Sequence, residues 1–122
     1  SYHAIRDGDI ETMKALLSSP VPFLIGFGFV VFDAMLTRQV ATTGLLSRPT
    51  PRERVQGGHA VVLVGYDDNK VMPDGSKGAF LVRNSWGTGW GVNGTGYFWM
   101  AQNYVADVRL CNDFWVVRSA PL

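Results

Sequence analysis

Apolar residues recur along the chain in two rhythms. Ile10, Met13, Leu16 and Leu17 stand three and four residues apart behind Asp9, the spacing of one helix face with an acidic N-cap. Ser18-Ser19-Pro20 ends that helix. Val21–Val31 follows as a nearly continuous apolar run, the pattern of a buried strand, and one or two helical turns are expected around Phe32–Val40. Gly44–Gly58 carries Pro49 and Pro51 and reads as a surface loop, with Arg48, Arg52 and Arg54 on a solvated face.

The second half of the chain is richer in strands. His59–Tyr66 is apolar and β-branched, Asp67–Gly78 contains the turn sequence Pro73-Asp74-Gly75, and Ala79–Arg83 is apolar again. If the two strands pair antiparallel with His59 opposite Asn84, Val61 faces Val82, Leu63 faces Phe80 and Gly65 faces Gly78. Opposed residues share a sheet face, so His59 and Asn84 then lie together, with Ala60, Val62, Leu81 and Arg83 on the other side. Further strands are expected at Gly96–Met100 and Phe114–Arg118. These elements predict an α+β fold, an antiparallel sheet or partial barrel with one or two short helices, as a single domain over 1–122.

Composition narrows the partners. With 47% hydrophobic and 17% charged residues the chain can build a packed core, and a net charge of +1 is too small to draw it onto nucleic acid or an anionic membrane. The longest apolar stretch, Val21–Phe32, is broken by Pro22, Gly26 and Gly28 and falls short of the ~20 residues that span a bilayer. The single cysteine, Cys111, has no intrachain disulfide partner and reads as a structural thiol ahead of a strand. No metal-ligand spacing and no phosphate-cradling loop is present, so neither a metal nor a cofactor is expected. His3 is expected at a frayed, solvated start, and the beginning at Ser1 suggests a fragment or processed chain.

A histidine beside an asparagine has a chemical use. A carbonyl oxygen that accepts from one ring N–H fixes the tautomer and leaves the second nitrogen for a nucleophile. An uncharged amide suits a thiolate–imidazolium pair, which favours sulfur over oxygen chemistry. These residues also sit in a longer pattern. Gly58-His59-Ala60-Val61, Val64-Gly65-Tyr66, the run Arg83-Asn84-Ser85-Trp86-Gly87-Thr88-Gly89-Trp90-Gly91 and Gly94-Thr95-Gly96-Tyr97-Phe98 follow one another in order. Together they resemble the C-terminal, β-rich half of papain-like cysteine peptidases, closely over Gly57–Phe98 and loosely on the flanks.

That resemblance implies His59 as the catalytic histidine, Asn84 as its orienting partner, Trp86 as an indole lying over both, and Trp90 on the leaving-group side of the cleft. It also implies that Gly58, Ala60 and Val21 lie near the pocket for the residue preceding the cleaved one. The family's nucleophilic cysteine stands ~130 to 150 residues before its histidine, which puts it ahead of Ser1. The expected partners are therefore a Cys-bearing N-terminal lobe, absent here, and a peptide substrate or protein inhibitor; this chain alone is expected to be inactive. A secreted or lysosome-like compartment follows from the resemblance only. The alternative is a non-catalytic papain-like module that binds a peptide or associates with itself as a homodimer, through the face half a two-lobed fold would expose.

Overall fold

The computed structural model describes residues 2–117. Its elements run β1 (Tyr2–Ile5), α1 (Ile10–Leu17), β2 (Leu24–Phe32), a 3-10 turn (Asp33–Leu36), α2 (Arg38–Thr43) and β3 (Leu45–Leu46). They continue with β4 (Val55–Val71), β5 (Lys77–Arg83), a 3-10 turn (Val92–Gly94), β6 (Tyr97–Ala101), α3 (Gln102–Val105) and β7 (Cys111–Val117). The strands form one open seven-stranded sheet in the order β1-β7-β2-β4-β5-β6-β3, antiparallel except for the short β3–β6 pair. The architecture is α+β, as the sequence suggests, though with three short helices instead of one or two.

Alternation decides which side of the sheet becomes core. Along β2, Ile25, Phe27, Phe29 and Val31 are buried while Gly26 and Gly28 between them are only partly covered. Phe27 stacks on Phe114 of β7 with centroids 4.9 Å apart, and α1 contributes Met13 and Leu17 to the same side. Each such side chain taken out of water is worth about 1.5 to 3 kcal/mol. The Asp9 cap is present, its carboxylate accepting from the Thr12 N–H at 3.2 Å and the Thr12 hydroxyl at 2.7 Å. The opposite, outer face carries Gly26, Gly28, Ala60, Val62, Arg83 and Trp115, all partly or fully exposed.

Several boundaries differ from the expected ones. The second strand starts at Leu24, because Pro20 and Pro22 keep the preceding residues out of the ladder. His3 lies in β1, where it pairs with Val116, so it is exposed but not frayed. The loop expected over Gly44–Gly58 contains β3 and the first residues of β4. β4 itself is seventeen residues long, pairing with β2 through its first half and with β5 through its second. Polar Asp67–Lys70 is therefore still strand, and the turn tightens to Met72–Ser76, where the Met72 N–H donates to the Ser76 carbonyl and the Gly75 N–H to the Met72 carbonyl, each at 2.9 Å. The last strand begins at Cys111; its expected end at Arg118 lies outside the described residues.

The register between β4 and β5 is corrected as well. Leu63 faces Val82, not Phe80, a slip of two residues, and a bulge between Leu63 and Gly65 adds one more. A slip of two preserves the face, since side chains alternate with period two. His59 and Asn84 therefore remain on one side of the sheet, as diagonal rather than direct neighbours.

Candidate active site

His59 enters from the first half of β4, directly opposite Phe29 of β2. Asn84 stands just past the end of β5, its N–H donating to the Gly96 carbonyl at 3.0 Å. The side chains meet: His59 Nε2 and Asn84 Oδ1 are 2.7 Å apart. The Ser85 N–H also donates to Oδ1, at 2.8 Å, so that atom is the amide oxygen and cannot be exchanged for the nitrogen without losing a bond. The ring nitrogen facing it therefore carries the proton, which leaves Nδ1 with a free lone pair.

Asn84 is 95% buried by its 5% exposure, yet its Nδ2 has no hydrogen-bond partner. A buried donor without an acceptor costs about 1 to 3 kcal/mol. The fold accepts that cost at the residue that holds His59.

Aromatic rings enclose the imidazole. Trp86 lies 5.3 Å away at 32°, Phe29 meets it edge-on at 6.0 Å, and Trp90 packs edge-on against both Trp86 at 5.1 Å and Phe98 at 5.5 Å. Trp86 remains 43% exposed, so an apolar surface beside a titratable ring faces solvent. The loop that delivers both indoles turns on Gly87, Gly89 and Gly91, all with positive φ. Gly91 is obligatory for a second reason, since a Cβ there would stand 2.2 Å from the Tyr97 carbonyl oxygen.

Gly58 and Ala60 flank His59 on β4, opposite Val30 and Gly28 of β2. A Cβ added at Gly58 or Gly26 would meet nothing within 4 Å, and neither residue has a positive φ, so the chain's own packing does not require glycine there. Val21 is not brought to this group. It precedes Leu24, at the end of β2 that pairs with Val117, whereas Ala60 meets β2 at Gly28. Cys111 shares the row of His59 but sits two strands away across Phe29, about 10 Å at ~4.8 Å per strand. It is fully buried, and burial pushes its thiol far above the usual range. Phe29 and the Ser85 N–H escaped the sequence reading, because only the strand register reveals what faces the histidine.

A model of the papain family of cysteine proteases matches residues 2–116. The chain belongs to that family. A peptidase C1-like protein of Acanthamoeba polyphaga mimivirus is 42% identical over 113 residues, which are 93% of this chain and 33% of that protein. Among solved structures, xylellain, a cysteine protease from Xylella fastidiosa, superposes with a TM-score of 0.80 at 33% identity, covering 99% of this chain and 40% of xylellain. The bromelain protease from Ananas comosus shares the fold, with a TM-score of 0.56, 24% identity, and coverage of 93% of this chain and 47% of bromelain. The chain thus spans a third to a half of the relatives it matches. Among the described residues, no group of three or more His, Cys, Asp and Glu side chains is placed to hold a metal, and no helix is long and apolar enough to cross a membrane.

Proposed function

We propose that this chain is the histidine- and asparagine-bearing lobe of a cysteine peptidase that hydrolyses peptide bonds. The observation that carries the reading is the 2.7 Å contact of His59 Nε2 with an amide oxygen whose orientation Ser85 fixes, leaving Nδ1 free beside exposed Trp86. In the assembled enzyme Nδ1 takes the proton of a cysteine thiol, and the thiolate attacks the substrate carbonyl. The imidazolium then protonates the departing amine, and a water deprotonated by the same nitrogen hydrolyses the acyl-enzyme. Asn84 keeps the ring in one tautomer through both half-reactions, while Trp86 and Trp90 shield the pair from water.

The nucleophile comes from outside this chain, because Cys111 is buried behind Phe29. A Cys-bearing lobe packs beside half-buried His59 and exposed Trp86, so that its thiol reaches Nδ1, and the side-chain-free backbone at Gly58 next to His59 lets a peptide substrate approach closely. Gly58 and Ala60 border the bound peptide.

The test is turnover of a fluorogenic peptide by the full-length parent protein and by this chain alone. The parent should cleave and lose activity when His59 is replaced by alanine; the isolated chain should be inert. A parent that binds peptide without cleaving it would establish the non-catalytic alternative.

A further inference from the structure

Asn84 grips His59 at a single atom, so the ring can still swing about that bond unless something braces its sides. Its own strand offers little, since Gly57 and Gly58 precede it and have no side chains. Trp86 rides on the glycine loop and is 43% exposed, whereas Phe29 on the other side is only 3% exposed. The rigid wall is Phe29.

What holds Phe29 is Tyr104 of α3. The two rings meet at 85° with centroids 5.9 Å apart, and the Tyr104 hydroxyl donates to the carbonyl of Val30, the next residue of β2, at 2.5 Å. The β2–β7 ladder ends at the Phe29–Cys111 pair, and the β2–β4 register slips between Val31 and Phe32. The Val30 carbonyl thus lies where regular pairing runs out, and a side-chain hydroxyl takes the place of a strand N–H. Tyr104 is 1% exposed, and burial pushes its phenol far above its ordinary range, so it stays a donor at any working pH. A phenylalanine would fill the same volume without burying a hydroxyl. The hydroxyl is spent on the strand position opposite Gly58, one residue from the pair formed by Phe29 and His59.

We propose that Tyr104 is a positioning residue for His59, acting through the Phe29 ring and the Val30 carbonyl. It never touches substrate; it fixes the wall against which the imidazole rests. The consequence for turnover rests on His59 being catalytic, whereas the positioning itself does not.

The test is the long-range proton–nitrogen NMR spectrum of the histidine rings in the isolated chain, with exposed His3 as internal reference. In Tyr104→Phe the His59 ring signals should shift and broaden while those of His3 stay fixed. Phe29→Leu should reproduce the change with Tyr104 intact. Met13→Ala, a core truncation under α1, reports general loosening and should move neither histidine. Unchanged His59 signals in Tyr104→Phe, or an equal shift in Met13→Ala, would overturn the proposal. In the full-length parent, Tyr104→Phe should lower kcat roughly tenfold with KM unchanged. If His59→Ala leaves turnover intact there, the catalytic reading fails while the NMR result still decides the positioning.

Discussion

Replacing Asn84 by alanine should release His59 while costing the fold little. The substitution removes two bonds, from His59 Nε2 at 2.7 Å and from the Ser85 N–H at 2.8 Å. At ~0.5 to 1.5 kcal/mol net apiece, that is a loss of about 1 to 3 kcal/mol. The same truncation deletes Nδ2, the buried donor with no partner, and returns about 1 to 3 kcal/mol. The two terms nearly cancel, so stability should change by no more than about 2 kcal/mol once a small cavity is included. The ring has no such compensation. With Oδ1 present, the Nε2–H tautomer is favoured by at least the ~1 kcal/mol of its bond, roughly fivefold, and without it that preference disappears. Urea unfolding followed by tryptophan fluorescence reads the first quantity, and the nitrogen shifts of the imidazole read the second. A loss above ~4 kcal/mol with unchanged ring signals would refute the reasoning, since Asn84 would then be a structural keystone.

Other outcomes follow from the same geometry. Gly58→Ala should leave the isolated chain as stable or up to ~1 kcal/mol more stable, because the added methyl meets nothing; Gly58→Val should do no harm to the fold but depress cleavage by the full-length parent, measured as kcat/KM. Cys111 should resist a thiol reagent in the native chain and react only as urea unfolds it, with labelling that tracks the unfolding curve. Asp107 is held down at about 2, first by its hydrogen bond from Arg109 and further by the charge of Arg48. Its folded value lies below its unfolded one, so the stability it contributes is present above about pH 4 and lost as pH falls toward 2. Asp107→Asn should flatten that part of an acid-unfolding profile; an unchanged acid limb would refute the assignment.

Much of the site is legible in the sequence because it depends on parity and local turns. The alternation along β4 and β5 puts His59 and Asn84 on one face whichever even slip the pair adopts, and the slip of two is invisible at that level. Gly87, Gly89 and Gly91 announce a sharply turning loop without any long-range knowledge. What could not be read is what non-local pairing decides. Asp67–Lys70 look like loop because they are polar, yet edge exposure lets them continue a strand anchored by Lys14 to Asp68 at 2.8 Å. α3 is only four residues long, too short for a periodic pattern to show. Val21 can be grouped with Gly58 and Ala60 only while the length of β2 is unknown; the ladder puts the Leu24 end, which Val21 precedes, away from the Gly28–Ala60 pair.

The double engagement of β4 also bears on how the molecule assembles. Its early residues join a strand some thirty positions back along the chain, and its late residues join the strand that follows, so the first union demands a large loop closure and the second only a short one. The local hairpin is therefore poised to form early and the distant partner to arrive late. The imidazole and its amide flank the first pair of that hairpin, Val62–Arg83, so they can meet early, whereas Phe29 comes to the other side of the ring only with the late union. A chain arrested halfway through folding would hold the pair together and yet leave the imidazole without its wall.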